Sequence, residues 1–370
     1  MKINIVFFTL TSLAGAPIRI AQALNQYTNF KVRVINNNPY NYGNRTYPED
    51  LIWEKDKTEC LELISNTDIL HLHHYMDLEH NAFGINLKKL SSKAKIVRHF
   101  HTNLEDICKW NNYSASDILN DKYPKLVIPH CPERSFPDAF VVPNIIPSND
   151  EILMPLQTNN IIPKVFFSAS SSNSMWDTRW NTKGLPEVKK KFKNLKKLYD
   201  FDLQIIQNMP YEQCQQQKRL SDIIIGDTTS GSYHLTDLEA LSQGKPVFSY
   251  LDSRTQLTLT NLLKCTELPF INTRLEEINL PFIELLKDKN LQKEIGEFSR
   301  NWIETYYSEQ ILVKFFEEAY IKVLNDEPLY RQNYLKFPKA KYFLYNRLYD
   351  LQWEDRKKKN QTFFDKLRRK

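Results

Sequence analysis

No two cysteines of this chain form a CxxC pair. The five present (Cys60, Cys108, Cys131, Cys214, Cys265) are odd in number and scattered. That usage argues against a disulfide frame or a zinc knuckle and for a reducing cytoplasm. No apolar run approaches the ~20 residues of a membrane span. A full G-x-G-x-x-G fingerprint is missing, which weakens any nicotinamide-dinucleotide reading. The P-loop, HExxH, the hydrolase elbow G-x-S-x-G and a Ser-His-Asp arrangement are missing too. No Asp-x-Asp stands after a strand; Met76-Asp77-Leu78-Glu79 is the nearest imitation and is discounted.

The apolar fraction of 41% is ordinary for a globular protein, and 370 residues suffice for two domains, each of roughly 150–200 residues. The net charge of +6 is unevenly spread. Arg356 to Lys370 holds eight Lys or Arg against one Asp, and Lys183 to Lys197 holds seven more. Such runs read either as solvated faces or as attraction to an anionic lipid or acceptor. Tyr342, Phe343, Tyr345, Tyr349, Trp353, Phe363 and Phe364 lie near or among the tail cations. Aromatics among cations suit a segment at a membrane interface. Nucleic acid would fit that composition as well, but no nucleic-acid motif accompanies it. At the other end, Lys2, the apolar run Ile3–Leu10 and Ala14-Gly15-Ala16 imitate a short secretory signal. The run is brief and makes a good first strand instead.

Residues 1–150 alternate strand and helix. Strands are expected at Ile3–Phe8, Lys31–Ile35, Asp68–His73, Ala94–Arg98, Lys125–Ile128 and Ala139–Val142. Long connections between them imply parallel pairing with right-handed crossovers. Pro143, Asn144, Pro147, Ser148, Asn149, Asp150 and Pro155 then mark a linker. The pattern restarts with strands at Lys164–Phe167, Phe201–Gln207, Ile223–Ile225 and Pro246–Tyr250. Helices are expected at Leu185–Leu198, Glu212–Leu220 and Thr236–Ser242, and throughout Leu280–Leu324. The chain therefore reads as three parts: 1–150, 151–325 and a basic aromatic extension 326–370.

The densest information lies in Leu220–Asp252, LSDIIIGDTTSGSYHLTDLEALSQGKPVFSYLD. A β-branched run suited to a strand buried on both faces leads into a glycine-bearing loop and a short helix. In open α/β sheets, ligands bind beyond the carboxyl ends of the strands. Gly231-Ser232 opens a helix whose free N–H groups suit a phosphate. Glu239 falls about two turns later, within reach of the ribose hydroxyls of a nucleotide resting there. Small hydroxyl residues Ser168-Ala169-Ser170-Ser171-Ser172 follow another strand and leave backbone N–H groups available to oxyanions. Ser12–Pro17 opens the first helix, and its small residues let a ligand approach the backbone. Histidines cluster in DILHLHHY (His71, His73, His74) and RHFHTN (His99, His101). Alternation puts His71 and His73 on one face, but the spacing matches no usual zinc pattern, so no metal site is expected.

Glu239, Ala240, Leu241, Gly244, Lys245, Pro246 and Val247 resemble the donor-binding segment of the retaining glycosyltransferases of the GT-B fold, of the bacterial surface-polysaccharide type. Their pattern is Glu, seven residues, Glu, then Ala-(Met/Leu)-x-x-Gly-x-Pro-Val; here Gly231 stands where the first Glu would be. The resemblance implies an α/β fold of two Rossmann-like domains facing across a cleft, with C-terminal helices crossing back onto the first. It implies a nucleotide-diphosphate sugar as donor, a glycan or lipid-linked hydroxyl as acceptor, no cofactor and no obligatory metal. It implies that Lys183, in Lys183-Gly184, and Arg179 stabilise the leaving diphosphate. His101, with His99 as second choice, would form the facing wall with Gly15. Donor contacts would come from Gly15, Ser168, Ser170, Gly231, Ser232, Tyr233, Leu235, Thr236 and Glu239. The protein would be cytoplasmic, with 356–370 as the segment that touches the inner face of the membrane. Two other readings stay open, a nucleotide-sugar epimerase and a non-catalytic protein that keeps the fold as a scaffold.

Overall fold

The computed structural model describes residues 2–38, 47–111, 113–170, 172–176 and 182–330. Arg179 and the basic tail 356–370 lie outside these residues. The described residues belong to one compact unit, Met1–Gln332.

Two parallel sheets carry this unit. The first contains β1 (Ile3–Thr9), β2 (Phe30–Asn36), β3 (Leu51–Ile52), β4 (Ile69–His73), β5 (Lys95–Phe100), β6 (Lys125–Val127) and β7 (Phe140–Val141). Their spatial order is β3-β2-β1-β4-β5-β6-β7. The second contains β8 (Lys164–Ser168), β9 (Asp202–Ile206), β10 (Ile223–Ile225), β11 (Val247–Ser249) and β12 (Phe270–Asn272), in the order β12-β11-β10-β8-β9. The strand runs are β-branched and aromatic, as a sheet buried on both faces requires. Ile223, Ile224, Ile225, Val247 and Phe248 are all fully buried.

Strand order fixes where a ligand can sit. In the first sheet the chain moves outward from β1 to β3, then returns to β4 on the other side. In the second it places β9 and β10 on opposite sides of β8. Ligands bind at such switch points, outside the carboxyl ends of the strands. The loops concerned are those after β1, β4 and β5 in one sheet and after β8 and β10 in the other. The loops after β1, β5, β8 and β10, with the helix that follows β10, carry the expected site residues.

The C-terminal helices return to the first sheet, as expected. Helix Glu309–Leu324 brings Tyr320 against Phe30, with ring centroids 5.6 Å apart, and its hydroxyl within 2.7 Å of His71 Nδ1. One apolar cluster runs without a break from Phe7 and Val97 through Phe166 and Tyr233 to Trp302 and Phe316. Each such large side chain contributes roughly 1.5–3 kcal/mol on burial, so the crossing helix is a structural member. Helix Lys289–Tyr306 packs on the turn after helix Leu235–Ser242 through two glycines: a Cβ at Gly296 would lie 2.2 Å from the Gly244 carbonyl oxygen. Arg300 Nη1 then donates to the Ser148 and Ser242 carbonyls at 2.9 and 3.1 Å, fastening the linker to that helix.

Candidate functional site

The loop after β10 is organised by a residue outside the expected set. Asp227 is fully buried and accepts from the Thr229 and Ser230 amides at 2.9 Å each, from the Ser230 hydroxyl, and from His234 Nε2 at 2.9 Å. Burial alone would raise its pKa; the bonds from His234 and Ser230 outweigh that and hold it below the ordinary value. The carboxylate thus folds the loop into a tight turn. Gly231 follows with φ +87°, in the region where a side chain is strained, and a Cβ there would lie 3.1 Å from Asp252 Oδ2. A glutamate at this position, as in the resembled pattern, would not fit this backbone unchanged. Tyr233 is buried, its ring 4.0 Å from that of His130. Ser232 is buried, with a hydroxyl that finds no partner among the described residues.

Helix Leu235–Ser242 starts here, and Asp237 caps it by accepting from the His234 amide at 3.0 Å and from Ser249 Oγ at 3.1 Å. The other oxygen, Oδ1, lies 3.7 Å from Lys183 Nζ, so Lys183 is held over the start of this helix. Gly184, with φ +62°, meets the Thr229 methyl: a Cβ there would come within 3.0 Å of it. A lysine and a helix N-terminus are two independent sources of attraction for a phosphate, and the fold brings them together. Leu235 and Thr236 occupy the first turn and are half-buried. Ser168 ends β8, one residue past the Phe167–Ile225 pair, and Ser170 is exposed beyond it.

Glu239 is bound by two buried cations. Its Oε1 accepts from Arg19 Nη2 at 2.9 Å, while Oε2 accepts from Lys218 Nζ at 2.8 Å and Gln215 Nε2 at 2.6 Å. Burial pushes its pKa up, but the charges of Lys218 and Arg19 prevail and hold it at about 2. Arg19 comes from helix Ala16–Tyr27 of the first half, so this ion pair spans the two sheets. Tyr211 stacks under the Arg19 guanidinium at 4.9 Å, and a Cβ on Gly15 would touch the Tyr47 ring at 3.0 Å and Arg19 Nε at 3.6 Å. Gly15 and Glu239, remote in sequence, therefore share one cluster. Two further pairs span the halves: Arg134 with Asp252 at 2.5 Å, and Arg254 with Glu133 in a two-point bond at 2.9 Å.

Arg19, Gln215 and Lys218 were missed from the sequence. A signal existed for Arg19. It falls three residues after Ala16 and four before Ala23, on the apolar stripe of its helix, where a charge must find a buried partner.

His101 is half-buried. Its Nε2 lies 2.8 Å from His73 Nδ1, and its ring centroid is 4.0 Å from that of His99. Behind it His71, His73 and His99 form a fully buried group whose nearest ring nitrogens all lie within 4.8 Å of one another. Burial keeps these rings neutral, holding His71 at about 3 and His73, His99 and His101 well below the ordinary value. Arg179 and the tail 356–370 have no place in this geometry because they lie outside the described residues.

No protein-family model and no curated protein sequence matches the chain. Solved structures do. An α-glucosyltransferase bound to UDP and a 13-mer DNA containing an HMU base superimposes with a TM-score of 0.61 at 11% identity, covering 87% of this chain and 100% of that one. Anabaena Alr3699/HepE in complex with UDP gives 0.52 at 14% identity over 87% of this chain and 100% of its own. A glycosyltransferase from Rickettsia africae ESF-5 gives 0.51 at 14% identity, over 88% and 100%. The chain has the fold of these proteins, the GT-B glycosyltransferase architecture.

Proposed function

We propose that the protein is a glycosyltransferase. It moves a sugar, of hexosyl type, from a nucleotide-diphosphate sugar to a hydroxyl of a glycan or lipid-linked acceptor, with retention at the anomeric carbon, in the synthesis of a bacterial surface polysaccharide or lipooligosaccharide. The observation that carries the reading is that Lys183 lies 3.7 Å from Asp237 in the first turn of the capped helix Leu235–Ser242, which follows the loop after β10 and also carries Glu239. The α-glucosyltransferase and HepE structures, which share the fold, hold UDP.

In this reading the diphosphate rests against the helix start and the Lys183 ammonium. Negative charge grows on it as the sugar–phosphate bond breaks, and a preplaced cation lowers the barrier most there. Glu239 accepts hydrogen bonds from the ribose hydroxyls, on carboxylate lone pairs oriented by Lys218 and Gln215. His101 and Gly15 face the donor from the first half. Retention would be expected to depend on how the loop Gly231–His234 holds the sugar, because no carboxylate stands at Gly231. Segment 356–370 would draw the enzyme to an anionic membrane, where lipid-linked acceptors reside.

The test is a screen of nucleotide sugars by mass spectrometry, with and without membrane extract. Release of a nucleoside diphosphate from one donor, abolished or cut at least about a hundredfold in Lys183→Ala, supports transfer. The competing reading, a binding protein that has kept the fold, draws support from Glu239 being fully engaged by Arg19, Lys218 and Gln215. Nucleotide binding without release from any donor would favour it.

A further inference from the structure

Five of the eight histidines sit on β4, β5 and the residues just after them. Alternation puts His71 and His73 on one face of β4, and parallel pairing sets His73 beside His99 of β5. All three are 0% exposed. Ring centroids lie 4.5 Å apart for His71 and His73, 5.1 Å for His71 and His99, and 5.3 Å for His73 and His99.

The hydrogen bonding of this group is one-sided. His71 Nδ1 faces the Tyr320 hydroxyl at 2.7 Å, and His73 Nδ1 faces His101 Nε2 at 2.8 Å. His71 Nε2, His73 Nε2 and both nitrogens of His99 have no partner among the described residues. Buried polar atoms are rarely left in that state. Each neutral imidazole carries one N–H and one bare nitrogen, and a cation among the three rings would take up the bare ones. Metal-bound histidines characteristically engage their second ring nitrogen with an outer partner, which Tyr320 and His101 supply here.

We propose that His71, His73 and His99 bind one divalent transition-metal ion of the zinc type, which fastens the first sheet to helix Glu309–Leu324. Imidazole ligands select zinc, copper or nickel over magnesium or calcium, which need oxygen. Zinc–nitrogen bonds of about 2.0–2.1 Å set the nitrogens roughly 3.4 Å apart, so binding draws the rings together by about 1 Å or less per ring. Tyr320 and His101 lie behind two of the ligands, so the ion also steadies these two side chains. This site is independent of the nucleotide reading, and no step of transfer passes through it.

The experiment uses the full chain, freed of any affinity tag, loaded with ZnCl2 or CoCl2 and then desalted. Elemental mass spectrometry is expected to find about one metal per chain, falling at least fivefold in His71→Gln and His99→Gln and unchanged in His130→Gln. The cobalt form of the wild-type protein is expected to show visible ligand-field absorption from nitrogen coordination. Wild-type content below about 0.1 per chain after loading, or equal content in all variants, overturns the proposal. Should the histidine variants fail to fold, the wild-type cobalt spectrum decides alone: a featureless visible spectrum overturns it equally.

Discussion

Replacing Glu239 by Gln removes a carboxylate that faces two buried cations. Lys218 is 0% and Arg19 6% exposed on the side chain, and both point at Glu239. Breaking a buried pair from one side costs about 3–5 kcal/mol, because the charge left behind stays desolvated. Gln can keep the hydrogen-bond geometry, but it cannot neutralise either cation. An independent route gives a similar figure. The Glu239 pKa falls from 4.5 to about 2 on folding, which corresponds to about 3 kcal/mol of stability at neutral pH. The folded pKa is the lower one, so this stability is complete above about 4.5 and is lost as pH falls toward 2. Between pH 7 and pH 3 the wild type should lose about 2 kcal/mol through this group alone. Glu239→Gln has no such group to titrate. Urea unfolding at both pH values should show the variant about 3–5 kcal/mol weaker at pH 7, with the gap closing by about 2 kcal/mol at pH 3. Adding Lys218→Met should recover part of the loss at pH 7, since it removes one stranded charge. A deficit under 1 kcal/mol at pH 7, or a gap that does not change with pH, would refute the picture of a buried, doubly paired carboxylate.

Other expectations follow from single residues. Glu309 is largely buried and burial lifts its pKa from 4.5 to about 6. The folded state holds the proton more tightly, so this group's contribution is fullest below 4.5 and lost as pH rises through 6. Glu309→Gln should therefore raise stability at pH 7 by up to about 2 kcal/mol and leave it unchanged at pH 4, as read by thermal unfolding at the two pH values. Gly231→Ala should cost about 1–2 kcal/mol, because φ +87° is strained for any residue with a Cβ; a neutral substitution would show that the loop relaxes freely. Removing 356–370 should abolish sedimentation with vesicles rich in anionic lipid at low salt and leave donor turnover in solution unchanged. Equal sedimentation of the two forms would reject the tail as membrane contact.

The sequence conveyed the architecture because each strand is a short apolar run with turn residues on both sides. It failed where that signal was weak. β3 (Leu51–Ile52) and β12 (Phe270–Asn272) went unread because only two or three apolar residues mark each, whereas the equally short β10 and β7 showed through the β-branched run Ile223–Ile225 and the apolar run Ala139–Val142. Glu239 and Lys183 were legible as candidates through the pattern of the resembled family, and Gly15 through the small-residue loop after the first strand. Their partners were not. Arg19 and Glu239 are 220 residues apart, and only the docking of two sheets brings them together. The histidines behave in the same way: His71 and His73 show their shared face by alternation, whereas the alignment of His73 with His99 depends on strand register. Gly231 reads as a departure from a pattern in sequence and as a backbone requirement in the fold.

The central claim is that a nucleoside diphosphate binds between Lys183 and the start of helix Leu235–Ser242. Isothermal titration of UDP, GDP, ADP, CDP and dTDP into the wild type and Lys183→Ala tests it most directly. At least one nucleotide should bind the wild type in the micromolar range and lose roughly ten- to a hundredfold in affinity without the ammonium, the equivalent of one charge-assisted hydrogen bond. If no nucleotide binds at about 1 mM, where even a 4 kcal/mol interaction would register, or if Lys183→Ala binds as tightly as the wild type, the claim is contradicted.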